Sequence, residues 1–267
     1  MNNDILNSAF VEIDVVNVND GVVERKSDVV VGERAITVMI DKVGSFTIMC
    51  TPCDLEALAV GFIYSEGIIT GKQDIVSVTV KESNPDVVGI VVDDPGRVAI
   101  QRNLIVASSC GMCGVRNIEK MLKEMPVCGD GLKLMAADVL RVVENLRPMQ
   151  ELFQVTGGSH AAGIFDGRGE IFAVAEDIGR HSALDKAIGK CILSGRSTAG
   201  CGAVLSGRVS LEMVTKAAKA GIEVIAAVSA PSSYAIDAAE KWNITLCGFV
   251  RGERLNIYTY PDRIVIE

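Results

Sequence analysis

Between Ala161 and Phe249 short apolar runs alternate with amphipathic stretches in one repeating order, and this alternation restricts the fold more than any other feature of the chain. Ala161–Phe165 and Ile171–Ala175 read as a hairpin turned at Asp166-Gly167-Arg168-Gly169. Ser182–Leu193 follows as a helix, Gly202–Leu205 as a strand, and Leu211–Ala220 as a helix stopped by Gly221. Ile222–Val228, Ser232–Trp242 and Ile244–Phe249 then give strand, helix, strand. Neighbouring strands with helices between them are joined by crossovers, so a parallel arrangement follows. The residue supply agrees: 49% of the chain is hydrophobic but only 4% is aromatic. Val, Ile, Leu, Ala and Met must build the core, as in strands covered on both faces.

The first half has a different texture. Val11–Ile48 is strand-like, with Val29–Val31 and Ala35–Ile40 bounded by Gly32-Glu33-Arg34, and Asp54–Tyr64 reads as a helix. Ile75–Val80, Val87–Val92 and Val98–Ile105 add strands separated by Pro and Gly turns. Ala137–Leu146 is a further helix, closed by Arg147-Pro148. The expected class is therefore α/β (α+β overall), with a smaller N-terminal α+β region over residues 1–135 and a larger α/β domain over residues 136–267. A chain of 267 residues suffices for that division.

Cys110-Gly111-Met112-Cys113-Gly114 puts two thiols in a small-residue turn before Val115–Met125, where Ile118, Met121, Leu122 and Met125 recur at helical spacing. Free N–H groups and the positive end of a helix dipole stabilise a thiolate at such a position. Cys110, on the loop side, is the first candidate nucleophile, and Cys113 can act as a resolving or relay thiol. The structural alternative is a pair of small buried hydrophobes.

Eight cysteines in a chain of this length are too few for a disulfide scaffold. Met1–Asp20 lacks the basic and apolar regions of a signal peptide, and no apolar run approaches about eighteen residues, so a cytoplasmic location with reduced thiols is expected. A net charge of −8 argues against nonspecific binding to nucleic acid or membrane. Any anion site must be built locally.

Four polar constellations offer one. Thr156-Gly157-Gly158-Ser159-His160 combines paired glycines, which let backbone N–H groups reach a ligand, with His160; a hairpin-initiating turn is the structural alternative. Glu176 to Lys186 packs six ionisable groups into a helix start. Capping by Asp177 and pairing of charges along the helix account for part of it, but leave Arg180 and His181 unexplained. Ser206-Gly207-Arg208-Val209-Ser210 feeds another helix and offers Arg208 to an anion, with Ser210 as a simple cap the alternative. Phe249-Val250-Arg251-Gly252-Glu253-Arg254 lies at the C-terminal end of a predicted parallel strand, where open α/β sheets bind ligands; a solvated loop is the competing account.

Read together, EDIGRHSALDKAIG at Glu176–Gly189, TGGSHAA at Thr156–Ala162, SGRVSLEMV at Ser206–Val214, SAPSSYAI at Ser229–Ile236 and GFVRGERLNIY at Gly248–Tyr258 resemble the FdhD/NarQ family. TPCDLEALAVGFIYSEGII at Thr51–Ile69 and the CGMCG turn match as well, so the resemblance spans nearly the whole chain. It implies a formate dehydrogenase accessory sulfurtransferase. Such a protein accepts sulfur from a cysteine desulfurase as a persulfide, and delivers it to the molybdenum cofactor in its bis-molybdopterin guanine dinucleotide form. It further implies a homodimer, a cytidine deaminase-like three-layer larger domain, the persulfide at Cys110 with Cys113 as partner, and a cofactor-binding loop at Phe249–Arg254. Gly157, Gly158, His160, Arg180, His181 and Arg208 are the other candidate cofactor-binding residues.

Zinc deaminases need HxE and PCxxC motifs. His160 is followed by Ala161-Ala162 and His181 by Ser182-Ala183, so deaminase chemistry and a tightly bound metal are not expected. Cys50-Thr51-Pro52-Cys53 departs from the RTP-type sequence expected of the family there. Two CxxC pairs can in principle make a Cys₄ zinc or iron–sulfur site, which is the alternative of a metal-stabilised binding protein. A carrier that binds the molybdenum cofactor without moving sulfur is another. Cys128, Cys191, Cys201 and Cys247 read as structural.

Overall fold

The computed structural model describes residues 9–81, 83–93, 104–106 and 125–266. Strands β1 (Phe10–Asn19) and β2 (Val22–Val31) form a hairpin that pairs with no other strand among the described residues. β3 (Arg34–Ile40), β4 (Gly44–Cys50), β5 (Ile75–Lys81), β6 (Asn84–Val92) and β7 (Leu104–Val106) form a five-stranded sheet in the order β5-β6-β3-β4-β7. Alternation along β3 sends Ile36, Val38 and Ile40 inward onto helix α1 (Leu55–Ser65), where Leu58, Phe62 and Ile63 are buried.

The second half begins with β8 (Leu134–Met135), α2 (Ala136–Leu146), α3 (Glu151–Thr156), β9 (His160–Phe165), β10 (Ile171–Asp177) and α4 (Arg180–Ser194). β11 (Gly202–Leu205), α5 (Leu211–Lys219), β12 (Val224–Ala227), α6 (Ser233–Lys241), β13 (Thr245–Arg251), β14 (Arg254–Ile257) and β15 (Ile264–Val265) complete it. The main sheet runs β10-β9-β11-β12-β13-β14. β11, β12 and β13 are mutually parallel, as the alternating sequence requires, and β9 is antiparallel to both of its neighbours. The strand ends of β10, β11, β12 and β13 therefore share one edge of the sheet with the start of β9.

Side chains alternate across this sheet. Phe165, Val204, Ala226 and Cys247 pack with Val139, Val142 and Leu146 of α2 on one face, while Ile164, Ala203, Ile225 and Leu246 join the helices of the other face. That second face carries the connection to the first half: α1 crosses α4 with the backbones in contact. A Cβ on Gly61 would lie 1.8 Å from the carbonyl oxygen of Asp185, and one on Gly189 would lie 1.9 Å from that of Ala57. One apolar core thus runs from the five-stranded sheet through α1 and α4 into the six-stranded sheet. No helix among the described residues is long and apolar enough to cross a membrane.

Three elements differ from the sequence expectation. The segment after Phe249 is not an open loop, because β13 continues to Arg251 and returns as β14 through Gly252-Glu253. Thr156 to Ser159 opens no hairpin, since Gly157 ends α3 and β9 starts only at His160. β8 pairs with β15, which ties residues 134–135 to the end of the chain. The expected helix at Val115–Met125 lies outside the described residues except for Met125, as does most of the expected strand Val98–Ile105.

Candidate functional site

The shared edge of the main sheet opens into a cleft of about 710 Å³. Its walls combine predicted and unpredicted residues. Gly157, Gly158 and His160 come from the turn before β9, and Val250, Arg251 and Gly252 come from the β13–β14 hairpin. Arg147, Gln150 and Phe153, from the end of α2 and the start of α3, form the remaining side. The lining does not include Phe249, Glu253 and Arg254. Arg254 instead sits over the Phe249 ring, 5.7 Å from its centre.

α3 has only six residues and no periodic pattern to hold it. A buried carboxylate does so: Glu176, 1% exposed, accepts from the Leu152 N–H at 2.8 Å, the Phe153 N–H at 2.9 Å and the Ser159 hydroxyl at 2.7 Å. These are otherwise orphan donors of a helix start, and a carboxylate there is favoured by the dipole. One side chain on β10 thus fixes both α3 and the turn leading to β9.

Next to the cleft the positive groups are left unneutralised. Gly207 lets the loop after β11 close on the His160 ring, a Cβ there being only 3.2 Å from Nδ1 and 3.6 Å from Cδ of Arg180. Burial lowers the His160 pKa, and the Arg180 and Arg208 guanidiniums lower it further. Arg180 is itself held below the usual arginine range by burial and by Arg208. Its buried Nε has no hydrogen-bond partner among the described residues. Two guanidiniums and an imidazole without enough counter-charge are costly alone and favourable around an anion. His181 turns away from them, with Nε2 3.2 Å from Ser210 Oγ and 3.4 Å from Glu212 Oε2.

The rest of the charged run from Glu176 to Lys186 is used internally. Lys186 is completely buried, with Nζ 2.7 Å from Asp177 Oδ2 and donating to Thr51 O at 2.9 Å and Glu176 O at 3.2 Å. Burial opposes its charge, but the Asp177 carboxylate outweighs that and holds the ammonium above its usual range. Asp177 also accepts from the N–H groups of Thr51 and Gly179, at 3.1 and 2.8 Å. Asp185 binds Lys216 at 2.8 Å and accepts from Ser65 Oγ at 2.7 Å.

The same lock explains where the unusual Cys50/Cys53 pair sits. Both thiols are buried, and Cys53 Sγ lies 3.5 Å from Lys186 Nζ. Burial raises the pKa of both, so they are protonated packing groups. Cys191 and Cys247, likewise buried, are pushed up to about 12. Cys110 and Cys113 lie outside the described residues. Among those that are described, no group of three or more His, Cys, Asp or Glu side chains is placed to hold a metal ion.

Sequence reasoning missed Arg147, Gln150 and Phe153. Arg147 and Phe153 are exposed residues near a Pro and read as the end of a helix; only their position beside the Gly157-Gly158 turn, nearby in the chain, pointed to the site.

Comparison with known proteins gives a consistent picture. The model of the FdhD/NarQ family matches residues 31–265. A sulfur carrier protein FdhD from Saccharolobus solfataricus is 38% identical over 255 residues, covering 94% of this chain and 96% of that protein. One from Bordetella parapertussis is 37% identical over 257 residues, covering 94% and 93%. A crystal structure from Desulfotalea psychrophila, of a protein described as a formate dehydrogenase accessory protein, superposes with a TM-score of 0.78 at 24% identity. It covers 96% of this chain and all of that one, and shares its fold.

Proposed function

This chain belongs to the FdhD/NarQ family, and from that membership we propose that it is a sulfur carrier serving formate dehydrogenase. Sulfur arrives as the outer atom of a persulfide on a cysteine desulfurase. The Cys110 thiolate attacks that atom, the desulfurase thiolate leaves, and Cys110 becomes the persulfide, with Cys113 as the neighbouring thiol for relay or release. The recipient is the molybdenum cofactor in its bis-molybdopterin guanine dinucleotide form, a substrate rather than a resident group.

The observation that carries the anionic-substrate reading is the under-neutralised group His160, Arg180 and Arg208 beside an open cleft. A volume of about 710 Å³ suits one nucleotide arm of such a substrate rather than all of it. Arg251 and the Gly157-Gly158 backbone supply further donors at the lining. An anion bound here screens His160 from the two arginines, so binding takes up a proton near neutral pH and tightens as pH falls through the histidine range. The larger half is read as a relative of the cytidine deaminase fold, supported by its mixed sheet with helices on both faces. The working form is a cytoplasmic homodimer.

Mass spectrometry of the reduced protein after incubation with a cysteine desulfurase and L-cysteine tests the proposal. The peptide bearing Cys110 and Cys113 is expected to gain sulfur, and Cys110→Ala to lose that gain. Unmodified thiols beside an active desulfurase would overturn it.

A further inference from the structure

Gln150 is 8% exposed and lines the cleft, yet among the described residues nothing hydrogen-bonds its carboxamide. Its backbone is fully engaged, the N–H donating to Arg147 O at 3.2 Å and the carbonyl accepting from the Gln154 N–H at 3.0 Å. A buried side-chain amide is normally satisfied, because leaving one unmet costs about 1–3 kcal/mol. An unmet carboxamide in a cleft wall has a use when a ligand completes it.

Phe153 lies one helical turn further along the same wall and leaves its side chain 44% exposed, an unusual state for a ring beside a cavity. The pair combines an amide, which offers a donor next to an acceptor, with a flat apolar face. Positive groups stand elsewhere around the site, at Arg147, Arg251 and the His160 cluster.

We infer that Gln150 and Phe153 form the subsite for the fused-ring heterocycle of the ligand. Gln150 makes two hydrogen bonds to a lactam edge, an N–H beside a C=O, and Phe153 stacks on the ring. The inference rests on the anionic-substrate reading above and adds to it the residue that reads the heterocycle. Guanine and a pterin share this edge, with Oε1 accepting from the ring N–H and Nε2 donating to the ring carbonyl. Both rings of that chemistry are π-faces that an exposed aromatic can cover.

Titration calorimetry of the full chain with GDP, inorganic pyrophosphate and 6-hydroxymethylpterin decides the matter. Gln150→Ala, and Gln150→Met which keeps the volume, are expected to weaken GDP binding roughly 10- to 100-fold, the loss of two hydrogen bonds. Pyrophosphate affinity should stay unchanged in both, while Arg251→Ala weakens GDP and pyrophosphate alike. A loss for GDP puts guanine in the subsite, and a loss confined to the pterin puts the pterin there; either supports the inference. Equal losses for GDP and pyrophosphate, or no loss for any probe, would overturn it while leaving the anion site standing. If neither GDP nor pyrophosphate binds the unaltered protein, the anionic-substrate reading fails and the subsite with it.

Discussion

Lys186 is a charge with no access to water, and it survives because Asp177, Thr51 and Glu176 supply oxygens on three sides. The raised lysine pKa makes its contribution to stability complete below the ordinary value of 10.5, and that contribution is lost as pH rises beyond it. Removing only one partner is the damaging change. Lys186→Met should cost about 3–5 kcal/mol at neutral pH, measured by urea unfolding, because Asp177 is then buried without a counter-charge. The carboxyl of that variant binds a proton more tightly folded than unfolded, so its deficit should shrink as pH falls. Asp177→Asn in the same background should restore part of the loss. A variant as stable as the parent would show the pair to be dispensable. In the sequence these residues were visible only as a dense run of charge, and Arg180 and His181 were rightly separated from it. The pairing itself was not legible, since Thr51, Ser65 and Lys216 lie far away in the chain.

Helices α1 and α4 meet through glycines rather than through side chains. The atoms that a methyl group would strike at Gly61 and Gly189 belong to backbone carbonyls, which cannot rotate aside. Gly61→Ala and Gly189→Ala are each expected to cost about 3 kcal/mol or more in denaturant unfolding, the severe end of overpacking. Gly131→Ala, where a methyl group meets nothing within 4 Å, is the control and should be close to neutral. Neutral behaviour at Gly61 would mean that the helices can separate without penalty. At this scale the periodic elements were readable: the expected α1, α4, α5 and α6 lie within a few residues of those observed. The β13–β14 hairpin was hidden because its register shifts between Gly248 and Arg251, where Phe249 takes a φ of 53°, and the bulge breaks the alternation that marks a strand. α3 was hidden because a distant carboxylate, not its own sequence, holds it in place. The β1–β2 hairpin shows little alternation because neither face is well covered, with Val16, Val18, Val22 and Val23 all 60% exposed or more.

The two sheets belong to one cooperative body. Ile36, Val38, Leu58 and Phe62 from the first half share a core with Ile164, Ala183, Leu184 and Ile188 from the second, and Asp185 links Ser65 to Lys216 across the same junction. Scanning calorimetry should therefore give a single transition whose calorimetric and van't Hoff enthalpies agree. Two resolved transitions would show that the halves melt separately. The difference in texture between the halves was plain in the sequence, whereas their fusion was not, because it depends on which glycines face each other. Leu134 pairs with Ile264, so a strand laid down midway through synthesis waits for almost the last residues to emerge before it has a neighbour. The β1–β2 ribbon, by contrast, closes on itself with only Asp20 and Gly21 between its strands. In time, the molecule is finished first at its beginning and sealed last at its end.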